Sequence, residues 1–351
     1  MGLYNSTATA QAIATQYAKG RRDFGRVNTK ESGDYVCLSY SHQAMRGHKM
    51  SRIERTCRGL VIDGSAGVIR ALPMPKFFNI GEPQCPPLPK LMYEIYEKVD
   101  GSLGIFWFDY KLGSWRCTTR GSFDNDFTRF ALDWWNEYVD HKMVPKRFTI
   151  MAEICFKDDP MARAAHHDEG LYMVAIRDNY SGHDIRPSGT KSWGLLRAGD
   201  MGSLTIGEIQ KRRDTEEGTE GWVVRYSNGL RVKVKTLWYL RMFKAINSLN
   251  VRTISGLVTE SKENWLYEIP DDLREEAAEI WNDFESEYRK RLRVVYAAYA
   301  KLAILPTRKE FAIAAKETYP GIVHWLFQLL DGNDIEEGFM ADLVKRWGMK
   351  G

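Results

Sequence analysis

The sequence predicts an α+β protein in two parts: an antiparallel β-rich part over residues 1–240 and an all-helical part over residues 241–351. Three observations predict this. The first part holds many short β-rich segments. Few helical stretches separate them. After about Tyr239 the texture changes to helical periodicity throughout.

The strand candidates are YVCLSY (35–40), GLVID (59–63), GVIRA (67–71), SLGIFWF (102–108), WRCTTR (115–120), LYMVAI (171–176), GWVVRY (221–226) and RVKVK (231–235). Asp63-Gly64, the stretch from Gly81 to Pro87, and Asn228-Gly229 supply turns between them. One helix is predicted at DFTRFALDWWNEYVDHK (126–142). Strands with few long crossovers argue for antiparallel sheets. In the second part, Leu273, Ala277, Ile280, Phe284, Tyr288, Leu292, Val295, Tyr299 and Leu302 recur at three- and four-residue steps. That is one stripe of a long amphipathic helix over 271–303. Asp271 and Asp272 after Pro270 mark its start. Further helices are predicted at Thr307–Thr318, Ile322–Leu330 and Ile335–Trp347.

The bulk numbers fit this division. At roughly 100–200 residues per domain, 351 residues suggest two domains. The net charge of +4 permits a nucleic-acid partner without requiring one. The five cysteines include no C-x-x-C pair and read as free thiols in a reducing compartment. No signal peptide and no 18-residue apolar run is evident, so no membrane partner and a cytoplasmic location are expected.

Five segments carry candidate chemistry. In Lys98-Val99-Asp100-Gly101-Ser102, an extended backbone points Lys98 and Asp100 to one face, and Gly101 lets a ligand approach the backbone. Lysine beside carboxylate is more often a surface ion pair than a catalytic pair. In RVKVK, Arg231, Lys233 and Lys235 share one face. Three like charges in a row repel unless something anionic meets them. An edge strand guarded by lysines and a phosphate-binding face explain the segment about equally well. Glu220 precedes GWVV, and Asn228-Gly229 predicts a hairpin that sets this carboxylate beside the lysines. Arg58 in CRGLVID and Lys76 in PMPKFFN each place a cation beside β-rich sequence, and alone read as surface charge. Glu153 lies inside the apolar run MAEIC, where a buried acid needs a partner or a task. The cluster His166-His167-Asp168-Glu169 lacks H-E-x-x-H spacing and reads as a polar loop rather than a zinc site. No G-x-x-x-x-G-K-[ST] loop and no G-x-S-x-G elbow is present.

The order of these segments is more specific than any one of them. KxDG, an acid in an apolar strand, EGxV and then KxK resembles the covalent nucleotidyltransferase superfamily of DNA ligases, RNA ligases and capping enzymes. Within it, the chain is similar to the phage RNA ligase 1 family, the tRNA-repair type. The further marks are LSYS (38–41), CRG (57–59), PMPKFFN (73–79), KVDGSL (98–103), RGSF (120–123), AIRDNYSG (175–182), EGWVV (220–224) and KVKTLWY (233–239).

The resemblance implies a nucleotidyltransferase domain over 1–240 and an RNA-specificity domain over 241–351. It implies ATP as AMP donor and Mg²⁺, or Mn²⁺ in its place. Lys98 would form a lysyl–AMP, pass the AMP to an RNA 5′-phosphate, and a 3′-hydroxyl would then seal the strand. The expected substrate is tRNA or single-stranded RNA, joined by a monomer. Lys233 and Lys235 are the further catalytic residues. The resemblance places Tyr40, Arg58, Lys76, Val99, Arg120, Glu153, Val174, Glu220 and Val223 around the nucleotide. It places Asp100, Glu153, Asp168 and Glu220 near the metal. Lys233, Lys235 and the metal are expected to lower the pKa of Lys98 and favour its neutral amine.

Two rivals stand beside this reading. DNA ligases and capping enzymes usually continue after KxK into an OB-fold, whereas a helical tail follows here. A non-catalytic RNA-binding relative would have lost the nucleophile or KxK, and both are intact. The run Arg289, Lys290, Arg291 and Arg293 is a candidate RNA contact, with a solvated helix face favoured.

Overall fold

The structure is a computed structural model. It describes residues 6–45, 49–156, 167–185, 193–202, 204–261 and 274–347. The chain divides into two compact units, Met1–Arg241 and Met242–Gly351.

The first unit is built from antiparallel sheets. Helix Thr7–Ala18 (α1) leads into a meander of Val27–Ser32 (β1), Tyr35–Tyr40 (β2), Arg58–Asp63 (β3) and Val68–Ala71 (β4). Short helices His42–Met45 (α2) and Arg52–Thr56 (α3) lie between β2 and β3. Both faces of β2 are buried, which is why its sequence does not alternate apolar with polar. Val36 and Leu38 face Ala10, Ile13, Ala14 and Tyr17 of α1. Tyr35 and Cys37 face Ile105, Trp107 and Met151 of the next sheet.

Strand Tyr93–Glu97 (β5) belongs to a later sheet. The second sheet holds Ser102–Asp109 (β6), Ser114–Thr118 (β7), Phe148–Cys155 (β8), Gly170–Asp178 (β9) and Asp184–Ile185 (β10), in the order β10-β9-β8-β6-β7. Leu196–Arg197 (β11) pairs with β9 in parallel. Helix Asp126–Tyr138 (α4) covers the outer face, where Trp135 stacks on Phe106 at 4.5 Å. An Asn125–Thr128 capping box starts α4. It stops four residues before the predicted end, because buried Val139 is extended, with φ −98° and ψ 125°. Likewise β7 ends at Thr118 rather than Arg120, since the Thr119 N–H turns back to the Ser122 carbonyl.

The third sheet joins β5 to Gly221–Tyr226 (β12) and Arg231–Lys235 (β13), in the order β13-β12-β5. Asn228-Gly229 closes the β12–β13 hairpin, with Gly229 at φ 84°. Ile95, Trp222, Val224, Val232 and Val234 form its core, with Ile209 of helix Ile206–Arg212 (α5).

The described part of the second unit is helical. Leu237–Ser248 (α6) runs into it, followed by Val251–Ser261 (α7), Arg274–Leu302 (α8), Arg308–Thr318 (α9), Val323–Leu330 (α10) and Glu336–Trp347 (α11). Ala277, Phe284, Tyr288, Leu292, Val295 and Leu302 of the predicted α8 stripe are buried, and Ile280 and Tyr299 are half-buried. Leu273, with the start signals Pro270, Asp271 and Asp272, lies outside the described residues. Among the described residues, no helix is long and apolar enough to cross a membrane, and the five cysteines are free thiols.

Candidate active site

The third sheet brings the separate motifs together. The Lys98 N–H donates to the Gly221 carbonyl at 2.9 Å, and Gly221 stands opposite Lys235 in the hairpin register. Gly221 has φ +136°, and a Cβ there would sit 2.0 Å from the Val234 carbonyl oxygen. Only glycine fits that junction. The motif then crosses to the second sheet, where Ser102 pairs with Ile154 and Leu103 with Glu153. Gly101 lines the cleft, but its need for glycine has a different source from the one expected. A Cβ at Gly101 would lie 2.8 Å from the Ile154 carbonyl oxygen, so the backbone of β8 claims that space.

Strand periodicity explains the lining of the cleft, whose volume is about 420 Å³. Residues two apart share a face. Glu94, Tyr96 and Lys98 therefore enter it together, as do Val223 with Arg225, and Arg231 with Lys233 and Lys235. Arg58, Lys76, Val99, Glu153, Val174 and Glu220 also line it. The wall residues that sequence reasoning missed are chiefly Glu94, Tyr96, Glu97, Arg197 and Arg225. The alternation in YEIYE, with Ile95 facing the core, is the signal that would have found the first of these.

Glu220 is the electrostatic centre. It is 2% exposed, and its two oxygens meet Lys98 Nζ at 2.6 Å and Lys235 Nζ at 2.7 Å. The expected lowering of the Lys98 pKa is not what the surrounding charges give. Burial does push it down, but Glu220, Glu153 and Asp100 together hold it above the usual lysine value. The depressed amine is Lys233 instead. Burial and the charges of Lys76, Lys98, Lys235 and Arg58 bring it to about 7. The three cations of β13 thus differ. Arg231 is buried against Asp184 at 2.7 Å, Lys235 is held by Glu220, and Lys233 has no carboxylate partner among the described residues. Burial raises Glu153 to about 7, against the pull of Lys98 and Arg58. Asp100 lies beneath the lining, buried, and accepts a hydrogen bond from the Tyr239 hydroxyl at 3.0 Å.

Arg58 and Lys76 add to the cationic lining of the same cleft. Burial depresses the pKa of each. Arg58 Nη1 is buried with no hydrogen-bond partner among the described residues. Such an orphaned donor suits an incoming anion. Tyr40 stands behind this pair rather than in the cleft. Its ring lies 5.7 Å from Lys76 Nζ and 4.8 Å from the Arg120 guanidinium. Burial pushes the Tyr40 pKa up, but Lys76, Arg58 and Arg120 bring it below the usual tyrosine value. Tyr40 and Arg120 line a separate concavity with Lys30 and His42.

Asp168 is exposed and outside the cleft lining, and His166 lies outside the described residues. Among the described residues, no group of three His, Cys, Asp or Glu side chains is gathered to hold a metal directly. Glu220 is engaged by two lysines and Asp100 by Tyr239. The oxygen donors Asp100, Glu153 and Glu220 around Lys98 suit a hydrated hard cation reached through its waters.

Comparison with solved structures finds mutants of Naegleria gruberi RNA ligase, one with ATP and Mn and one apo. Their identity to this chain is 14% and 13%, and their TM-scores are 0.35 and 0.34. Each match covers 43% of this chain. It spans 51% and 50% of the respective relative, so the chain covers about half the length of the structures it matches. No curated protein sequence matches. The family model described as RNA ligase matches residues 56–239, slightly more than half of the sequence and the stretch that holds Arg58, Lys76, Lys98, Glu153, Glu220, Lys233 and Lys235. On that match, this chain belongs to the RNA ligase family.

Proposed function

We propose that this chain is an ATP-dependent RNA ligase with Lys98 as its nucleophile, joining 5′-phosphate and 3′-hydroxyl ends in the repair of broken tRNA. One observation carries the reading: a buried cleft sets a lysine amine among carboxylates, with Arg58, Lys76 and Lys233 available to an anion. Family membership supports RNA as the partner. The motif order supports the tRNA-repair assignment.

In this reading, Lys98 Nζ attacks the α-phosphorus of ATP. A P–N bond forms, the P–O bond to pyrophosphate breaks, and Lys98 gives up its proton. Glu220, 2.6 Å away, is the nearest acceptor and holds the amine in the cleft. Lys233 and Lys235 offset charge developing on the phosphate, the effect that dominates phosphoryl transfer. Arg58 and Lys76 hold the polyphosphate tail, while Val99, Val174 and Val223 supply the apolar walls for the base. Asp100, Glu153 and Glu220 would hold Mg²⁺ through its waters, and the bound ion supplies positive charge that favours the neutral amine and the leaving group. AMP then passes to an RNA 5′-phosphate, and a 3′-hydroxyl displaces it.

The test is incubation with α-labelled ATP and Mg²⁺. Label on the wild type and none on Lys98→Ala is expected. No label on the wild type, or equal label on both, defeats the reading. A nicked stem-loop, a nicked duplex and a free single strand, compared as substrates, then test the tRNA assignment.

A further inference from the structure

Beside Tyr40 lies a concavity of about 360 Å³ that is separate from the cleft around Lys98. Asn28 and Lys30 of β1, Ser39 and Tyr40 of β2, His42 of α2 and Arg120 of the turn after β7 line it. The sheet register explains how they meet. Asn28 stands opposite Ser39, and Lys30 opposite Cys37. Opposed residues of an antiparallel pair share a face. Cys37 packs against the second sheet, and its thiol lies 3.7 Å from the Arg120 carbonyl. Lys30 is therefore aimed at the turn after β7, where its ammonium donates to the Ser122 hydroxyl at 3.2 Å.

The lining holds no carboxylate. Neighbouring acids are engaged elsewhere. Glu31 stands opposite Val36, on the face that meets α1, and accepts from the Tyr17 hydroxyl. Asp124 and Asp126 hold Arg129 at 2.6 and 2.5 Å. Among the described residues Lys30 meets the Ser122 hydroxyl and Arg120 the Tyr40 ring, and neither meets a carboxylate.

The positive charge continues towards the cleft. The Tyr40 ring has the Arg120 guanidinium at 4.8 Å and Lys76 Nζ at 5.7 Å. Lys76 and Arg58 line the cleft that holds Lys98. Burial pushes the Tyr40 pKa up, and Lys76, Arg58 and Arg120 together outweigh it. Cations spread along a surface suit an anion whose charges repeat, and a nucleic-acid strand carries one phosphate per nucleotide. Phosphate contacts of this kind set the path of a strand without reading its sequence. Asn28 and Ser39 add an amide and a hydroxyl beside the cations, groups able to pair with a ribose 2′-hydroxyl.

We propose that this concavity holds the backbone of the RNA being joined, with Lys30 and Arg120 on its phosphates, and leads the reacting end past Tyr40 into the cleft. The proposal rests on the reading of the chain as an RNA ligase that uses Lys98.

Binding of 5′-phosphorylated single-stranded RNA to the full chain is measured on filters across a salt series without ATP, with self-labelling by α-labelled ATP in parallel. Lys30→Ala is expected to weaken RNA binding by roughly threefold to tenfold and to reduce the salt slope by about 0.7, the single-strand value for one phosphate contact. Lys30→Glu is expected to weaken it further, and Lys30→Arg to keep both affinity and slope. Lys30 is exposed, so all three variants are expected to melt with the wild type and to label with ATP as it does. In the wild type, RNA is expected to shield Lys30 from chemical acetylation, and ATP is not. Unchanged affinity and slope in Lys30→Glu, or acetylation of Lys30 that is indifferent to RNA, overturns the proposal. Loss of ATP labelling in step with RNA binding overturns it too and assigns the concavity to the nucleotide. Lys30-dependent RNA binding in a protein that never labels with ATP upholds the site and defeats the reading of Lys98.

Discussion

Lys98 and Glu220 stand 122 positions apart in sequence and meet at 2.6 Å, with Lys235 on the other oxygen of the same carboxylate. The carboxylate is 2% exposed, and the lysine side chains are 18% and 20% exposed. Removing Glu220 takes away the carboxylate that two half-buried ammonium groups share. Glu220→Ala is expected to destabilise the fold by on the order of 2 kcal/mol, below the range for fully buried pairs because both lysines touch solvent. Self-adenylylation is expected to fall by roughly 100-fold or more, as when a preorganised electrostatic group is lost. Urea denaturation and α-labelled ATP measure the two effects. Near wild-type labelling in this variant shows that Glu220 is structural only.

The two glycines beside this ion pair differ in how much room they leave. At Gly221 a Cβ meets the Val234 carbonyl oxygen at 2.0 Å and φ is +136°, so both space and backbone exclude alanine. At Gly101 the clash is 2.8 Å from the Ile154 carbonyl, with no such backbone constraint. Gly221→Ala is expected to cost about 3 kcal/mol or more and to abolish labelling, whereas Gly101→Ala is expected to cost about 1–2 kcal/mol. Equal melting temperatures for the two variants contradict this ranking.

These particulars mark what a sequence makes legible. Glu220, Lys233 and Lys235 could be brought together because strand alternation and an Asn-Gly hairpin are local rules, whereas Lys98, 122 positions from Glu220, joined them only through the resemblance of the motif order. Glu94, Tyr96 and Arg225 obey the same alternation, but only the assembled sheet shows that β5 stands beside β12 and turns their shared face into the cleft wall. The charge state of Lys98 was not legible. It depends on how closely carboxylates from β8, from the residue before β12 and from its own segment converge. Nor was the fate of Arg231, whose partner Asp184 sits on a two-residue strand that only the assembled sheets bring within reach.

The basic run on α8 bears on RNA contact. Arg289 pairs with Glu285 at 2.7 Å, Arg291 with Glu287 at 2.6 Å, and Lys290 lies 3.9 Å from Glu287. Helical partners thus offset much of its charge, which favours the solvated-face reading. Arg289→Ala/Arg291→Ala is expected to leave the stability of α8 nearly unchanged, because solvent screens exposed helical ion pairs. RNA affinity is expected to change less than about threefold, with the salt slope nearly unchanged. Filter binding across a salt series checks this. A slope smaller by about two would make the arginines phosphate contacts.

Asp63 sets a pH dependence away from the cleft. It is 1% exposed, and burial alone would raise its pKa. The Ala66 N–H at 3.0 Å, the Ser65 hydroxyl at 2.8 Å and Arg70 at 3.1 Å hold it down to about 2 instead. An unfolded aspartate titrates near 3.9, so the folded value is the depressed one. Its contribution is therefore full above about pH 4 and is lost as pH falls through 2. The gap between the folded and unfolded values corresponds to roughly 2–3 kcal/mol. Asp63→Asn is expected to lose that amount at pH 7, and its gap from wild type should close as pH drops from 5 towards 2. Urea midpoints at several pH values test it. A gap that stays constant with pH would mean that hydrogen-bond geometry, not ionisation, is what Asp63 contributes.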